Sequence, residues 1–480
     1  MNTKLHFSKV AILLPLIFVF ISFSLFSQNS LRASEELLRE TINVLCSDTL
    51  AGRGFGFAEL QKAEHYIQNK FEVYGVEPLG YNYSQQVELY RYDFSSSEYL
   101  LRIGVDTLKF GFDFGYGLFE KEGFRASTGG NAIQFKSVFE PDRETLLDKG
   151  WAAIFYKNRE ANDICKHIGA EVCISIMTND SVLDVMYNSW SPILSTWRYD
   201  SITWENEVSV VQISKSKGAK LLEVELDDLD KGLNMEDIKR LKKKPPVFEL
   251  MINRKPTKSQ SCNIVGQIKG KDTLGGYIIL SAHYDHLGYT NKGFFPGAND
   301  NASGVAVLLE VARMLSKAKT KGMQPEQNVL LITFTAEEIG LKGSRFFIDN
   351  PLIEKSNINL HINMDMVGHK NPKELGKNEL FLLAPDSLLL YTKPFMEASE
   401  RLKGLFFSLS TENPQRINFL LNSSDTRPFL EQGINSLLFT DGPFDEFHSF
   451  KDRPDVLSFK KMGSLSEIIL EILLNVNFNN

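Results

Sequence analysis

From about residue 260 onward the chain alternates short, almost wholly apolar runs with stretches of helical period. The runs lie at 277–280, 329–334, 358–362 and 436–439. Between the first two, a helix expected over about 303–316 carries Val305, Leu308, Leu309, Ala312 and Leu315 along one side. A strand that is apolar on both faces must be covered on both. Such strands separated by helices therefore call for an α/β fold with a mostly parallel central sheet and helices on both faces.

Each run is followed by a residue able to hold a cation. In order these are His283, Asp300, the pair Glu337-Glu338, Asp365 and His448, in the texts Ser281-Ala-His-Tyr-Asp-His-Leu-Gly288, Gly297-Ala-Asn-Asp-Asn-Ala-Ser-Gly304, Thr335-Ala-Glu-Glu-Ile-Gly340, Asn363-Met-Asp-Met-Val-Gly368 and Glu446-Phe-His-Ser449. In an open parallel sheet the loops at the carboxyl ends of the strands share one rim, so residues far apart in sequence converge there. Two imidazoles and three carboxylates are the inventory of a paired zinc site, with a fourth carboxylate left over as a base. Two cations about 3.5–4 Å apart repel, and a carboxylate between them is the usual bridge. Asp300, in a Gly-rich turn just before the helix, is the candidate. Adjacent glutamates point apart, so one binds metal while the other faces substrate and takes a proton from water. Asp285, two residues after His283, is placed to orient that imidazole. Such ligands accept cobalt or manganese as well as zinc.

Any one of these texts alone reads more often as a capped helix or a solvated pair. The complete ordered set carries the reading. His286 is read as a loop histidine bonded nearby, and His361 and His369, which flank Asp365, as structural.

At 480 residues the chain suits two or three domains. Helices are expected at 35–45 and at 58–74, the second stopping at Gly75. From about 91 to 250 short strand-like pieces at 99–103, 151–156, 172–176 and 208–213, with helices at 160–168 and 235–244, describe a smaller strand-rich inserted domain. The expected boundaries are 1–28, 29–90, 91–250 and 251–480, the second and fourth forming one domain. Lys4 and Lys9 precede an apolar stretch from Val10 to Phe26 and then polar residues, the layout of a signal peptide. A retained membrane anchor is the alternative; either places the rest of the chain outside the cytoplasm, secreted or periplasmic. Without a retained anchor, no stable membrane contact is expected. The net charge of -7 and a single basic cluster, Lys239 to Lys244 before Pro245-Pro246, argue against a nucleic-acid partner. The four cysteines have no metal-binding spacing. Cys165 and Cys173 either pair or stay isolated thiols.

With these motifs the chain resembles the M28 family of metallopeptidases over about 260–455. The Ala51-Gly-Arg-Gly54 loop and its flanking helices resemble the family's N-terminal part. The resemblance implies a zinc aminopeptidase-like fold, two zinc ions and peptide substrates. By it, His283, Asp300 and Asp365 hold one zinc, and Asp300, Glu338 and His448 the other. Glu337 is then the general base acting on a shared water, Asp285 the partner of His283, and the Asp300–Asn301 peptide is cis. The insertion resembles a protease-associated domain at Lys149-Gly-Trp-Ala-Ala-Ile154, His167-Ile-Gly-Ala170 and Val210-Val-Gln-Ile213. Many relatives carry a Tyr before the last His, whose hydroxyl helps to bind the oxyanion; Phe447 stands here instead and has no donor. Asp425, in Ser423-Ser-Asp-Thr426, matches a family text to which no role is assigned. The expectation is an aminopeptidase. A carboxypeptidase or dipeptidase, a single-zinc glutaminyl cyclase and an inactive binding protein on the same fold remain open.

Overall fold

The computed structural model describes residues 31–478, except for 291, 410–413 and most of 93–255 outside the elements given below. The leader expected at 1–28, the helix at 160–168, most of 235–244 and the pairing of Cys165 with Cys173 lie outside the described residues. Among the described residues no helix is long and apolar enough to cross a membrane.

The chain divides into two compact units, one formed by Met1–Val87 with Gln260–Asn480 and the other by Glu88–Ser259. The first begins with helix α1, Glu35–Leu45. The Ser34 hydroxyl accepts from Leu37 N–H at 3.3 Å, and Glu35 and Glu36 sit in the first turn, where negative charge suits the helix dipole. Its buried positions, Leu38, Ile42 and Leu45, follow the helical period. Helix α2, Ala58–Tyr74, ends at Gly75 with φ 72, a left-handed cap that glycine adopts without steric cost.

The sheet of this unit uses β1 (Pro256–Ile268), β2 (Asp272–His283), β3 (Gln327–Phe334), β4 (Ile358–Met364), β5 (Glu379–Leu383), β6 (Phe406–Ser408) and β7 (Ser436–Thr440). Across it the order is β1-β3-β2-β4-β7-β5-β6. The four central strands β3, β2, β4 and β7 are parallel, while β1 runs antiparallel to β3 and β5 antiparallel to β7. The register sets His283 opposite Phe334, and Ser281 opposite both Ile332 and Asn363. Strand ends therefore align at one rim.

Helix α3, Ser303–Thr320, is buried around nearly its whole girth because it lies between the sheet and other helices. It packs on β2 and β3, against α1 and α2, and against α7 (Phe459–Asn475). On the other face of the strands, Ile279, Leu330, Ile332 and Phe334 form a cluster with Phe347 and Ile348 of α4 (Lys342–Asp349) and Phe429 of α6 (Thr426–Glu431). A further helix, α5 (Leu389–Leu402), packs against α7. The fold is α/β, a largely parallel central sheet flanked by helices on both faces.

In the Glu88–Ser259 unit, parallel strands Ala152–Tyr156, Val172–Ile176 and Ser209–Ile213 pair side by side. A second, antiparallel sheet contains Glu98–Ile103 and Phe248–Asn253. A helix, Lys215–Leu222, follows the parallel strands.

Candidate metal centre

The rim at the carboxyl ends of β2, β3, β4 and β7 gathers every ligand-type residue singled out in the sequence. His283 is the last residue of β2, and Asp365 follows β4 directly. Glu337 and Glu338 follow β3 after a turn at Ala336, whose φ is 57. Asp300 precedes α3, and its peptide bond to Asn301 is cis. His448 lies in the loop beyond β7 with φ 51.

Asp300 stands at the middle. Its Oδ1 is 3.3 Å from His283 Nε2, and its Oδ2 is 3.2 Å from His448 Nε2. Asp365 Oδ1 adds to the His283 side at 3.3 Å, and Glu338 Oε2 to the His448 side at 3.1 Å. Glu337 Oε2 is farther out, 3.8 Å from His283 Nε2. The two glutamates thus diverge from a shared turn, one toward each imidazole.

Asp285 sits beside both glutamates and His283. Its carboxylate accepts the backbone N–H of Glu337 at 3.1 Å and of Glu338 at 3.3 Å. The His283 imidazole instead has its Nδ1 3.2 Å from the Asp285 carbonyl oxygen, with the carboxylate 3.9 Å away. The Asp285 carboxylate thus bonds the glutamate loop while staying within ion-pair range of the His283 ring. His286 also belongs to the centre, its Nδ1 2.6 Å from Glu338 Oε1 and 3.8 Å from Asp300 Oδ2. By contrast His361 lies in β4 between the Ser281 and Ser436 hydroxyls, both at 2.7 Å, and stacks on Phe429. His369 faces Glu446 at 3.2 Å.

The donor set fits divalent cations. Two buried carboxylates, Asp300 and Asp365, and two half-buried ones, Glu337 and Glu338, crowd together, and among the described residues no lysine or arginine pairs with any of them. Burial pushes the Glu337 carboxyl well above the usual carboxylate range and raises Asp365. Burial opposes charge on His448 too, yet Glu338 and Asp300 hold its pKa up to about 10. Buried like charges are costly unless compensated, and cations with nitrogen and oxygen ligands compensate them. Among the described residues, the groups of histidine and carboxylate atoms close enough to hold an ion are His283 with Asp300 and Asp365, His286 with Asp300 and Glu338, and His283 with Glu337 and Glu338. All lie here. Asp425 is buried close by, and that burial pushes it up to about 7 against the charge of His283.

A cavity of about 480 Å³ opens over these groups, with Leu341, Met366, Phe419, Leu420 and Phe447 among its apolar walls. The Phe447 ring stacks on His448, centroids 3.8 Å apart. The sequence reading passed over two residues behind the centre, Arg53 as an individual side chain and Asp452. Their only signal is a charged residue beside a motif, and sequence cannot show that it is buried.

Residues 263–473 match the family model described as Peptidase family M28. The chain is 32% identical over 224 residues to "Aminopeptidase YwaD" of Bacillus subtilis (strain 168), an alignment covering 44% of each protein. It is 27% identical over 228 residues to a "Probable zinc metalloprotease" of Pyrenophora tritici-repentis, covering 42% of this chain and 51% of that one. The chain thus spans about half or less of these curated relatives. Its fold is similar to that of an aminopeptidase from Aneurinibacillus sp. strain AM-1, with a TM-score of 0.56, 22% identity and coverage of 92% and 93%. It is likewise similar to BSAP, a zinc aminopeptidase from Bacillus subtilis, with a TM-score of 0.56, 20% identity and coverage of 94% and 98%.

Proposed function

We propose, from the premise that residues 263–473 belong to peptidase family M28, that this chain is an exported two-zinc peptidase releasing N-terminal residues from peptides. The observation that carries the reading is the bridging geometry of Asp300, whose two oxygens face two different imidazoles at 3.3 and 3.2 Å. His283, Asp300 and Asp365 would hold one zinc, and Asp300, Glu338 and His448 the other. When bound, the pair supplies Lewis acidity toward the scissile carbonyl and lowers the pKa of water.

The remaining chemistry belongs to side chains of this protein. Glu337 stands beside the centre on the cavity side, and its carboxylate takes a proton from the attacking water. It then gives that proton to the leaving amine nitrogen as the C–N bond breaks. A carboxyl raised by burial is a stronger base than one in water, which suits this double task. Asp285 fixes the glutamate pair through the backbone N–H groups of Glu337 and Glu338. The apolar cavity walls exclude water from the substrate side chain.

Purified protein is tested on aminoacyl chromogenic substrates with and without a chelator, alongside metal analysis. Hydrolysis abolished by chelation and restored by zinc, with two ions per chain, is the expected result. One zinc per chain together with cyclisation of N-terminal Gln would overturn it.

A further inference from the structure

Asp300 owes its position to its backbone, since every residue from Pro296 to Asp300 is held from one of two sides. On one side, Arg53 Nη1 donates to the Pro296 carbonyl at 2.8 Å and Arg53 Nη2 to the Gly297 carbonyl at 3.0 Å. On the other, the Asp452 carboxylate accepts Asn299 N–H at 2.8 Å and Asp300 N–H at 3.0 Å, and the Asp452 carbonyl accepts Ala298 N–H at 3.1 Å. Both side chains are fully buried.

Neither makes an ion pair among the described residues. Arg53 also donates to the carbonyls of Tyr284 at 2.9 Å and Leu45 at 2.5 Å, while its own carbonyl accepts His286 N–H at 3.1 Å. It therefore ties the loop after β2 to the Asp300 segment. Asp452 lies four positions beyond His448 in the same loop, so it ties that loop to Asp300 from the opposite side. A buried charge is costly unless its hydrogen bonds are met, and charge-assisted bonds to backbone are stronger and more directional than neutral ones.

We infer that Arg53 and Asp452 are positioning residues for the bridging carboxylate, coupling the loops of His283, Asp300 and His448 into one rigid cation site. The inference rests on the two-zinc reading above. Removing the Asp452 carboxylate frees the Asp300 backbone and the His448 loop together, so binding that needs both should weaken most. Arg53→Lys keeps the charge but loses the planar fork that spans several carbonyls.

The test titrates zinc into the metal-free full chain against a chromophoric chelator, for wild type, Asp452→Asn, Arg53→Lys and Glu310→Gln. Glu310 is a control, a buried carboxylate paired with Arg313 on α3. In Asp452→Asn and Arg53→Lys one of the two dissociation constants should rise about 10–100-fold, the usual effect of losing support behind a ligand. Glu310→Gln should lower the metal-free melting temperature and leave both constants unchanged. Wild-type constants in a folded Asp452→Asn overturn the inference alone, as does failure of both Asp452→Asn and Arg53→Lys to fold. A wild-type chain that takes up no zinc overturns the proposed function, and this inference with it.

Discussion

Glu337 and Glu338 are chemically identical and stand next to each other, yet they face different imidazoles, because Asp285 pins their backbone while their side chains diverge. Replacing Glu337 with Gln should lower kcat by about 10²–10⁴-fold, the usual worth of a positioned general base, with bound zinc unchanged by elemental analysis. The carboxyl must be ionised to accept a proton, so kcat/KM should fall on the acid side as it is protonated; burial raises its pKa in the metal-free site, and bound zinc would draw it back down. Asp285→Asn should lower kcat about 10–100-fold in steady-state assays, because it weakens the support behind both glutamates. The ligand-type residues were legible in sequence, since cations demand imidazole and carboxylate and strand ends supply a place. The target of the Asp285 carboxylate was not legible, because which backbone N–H it meets depends on a turn in space. The contact of His286 with Glu338 was hidden for the same reason.

At the scale of elements, the runs at 277–280, 329–334, 358–362 and 436–439 stood out because their strands are buried on both faces, and β3 is buried at every position. The ladders run further than the apolar runs, as in β2 from Asp272 and β4 to Met364, because backbone pairing continues where side chains turn polar. Strand β1 went unread for a related reason. Its buried Ser261 and Asn263 break the apolar pattern yet are satisfied, Ser261 Oγ donating to Glu64 at 2.6 Å and Asn263 Nδ2 to the Gly343 carbonyl at 2.9 Å. A polar residue in a core strand is tolerable once bonded, and sequence does not reveal its partner. Ile332 of β3 has no such polar compensation and sits in the cluster with Phe347 and Phe429. Ile332→Ala should cost about 2–5 kcal/mol in urea unfolding, the range for emptying a packed aliphatic site. A loss well under 1 kcal/mol would mean that the cluster collapses readily around the gap.

For the molecule as a whole, the centre should both cost and confer stability. Burial lifts Asp285 and Asp425 from an ordinary 3.8 to about 7, so between those values the metal-free folded chain keeps protons that the unfolded chain has released. Their contribution is fully present below about pH 4 and is lost as pH rises through 7. The melting temperature of metal-free protein should therefore fall from pH 5 to pH 8 in calorimetry, and zinc should restore most at the higher pH. A metal-free Tm that rises over that interval would contradict the charge balance described for the site.

The unit carrying the centre is assembled from two stretches of chain interrupted by Glu88–Ser259. Helices α1 and α2 leave the ribosome before the interruption, yet they pack on α3, and α1 also on α7, which are synthesised only after it. Leu38, Ile42 and Phe71 stay uncovered until those partners are made, a long-range closure of the kind that slows folding and exposes apolar surface to aggregation.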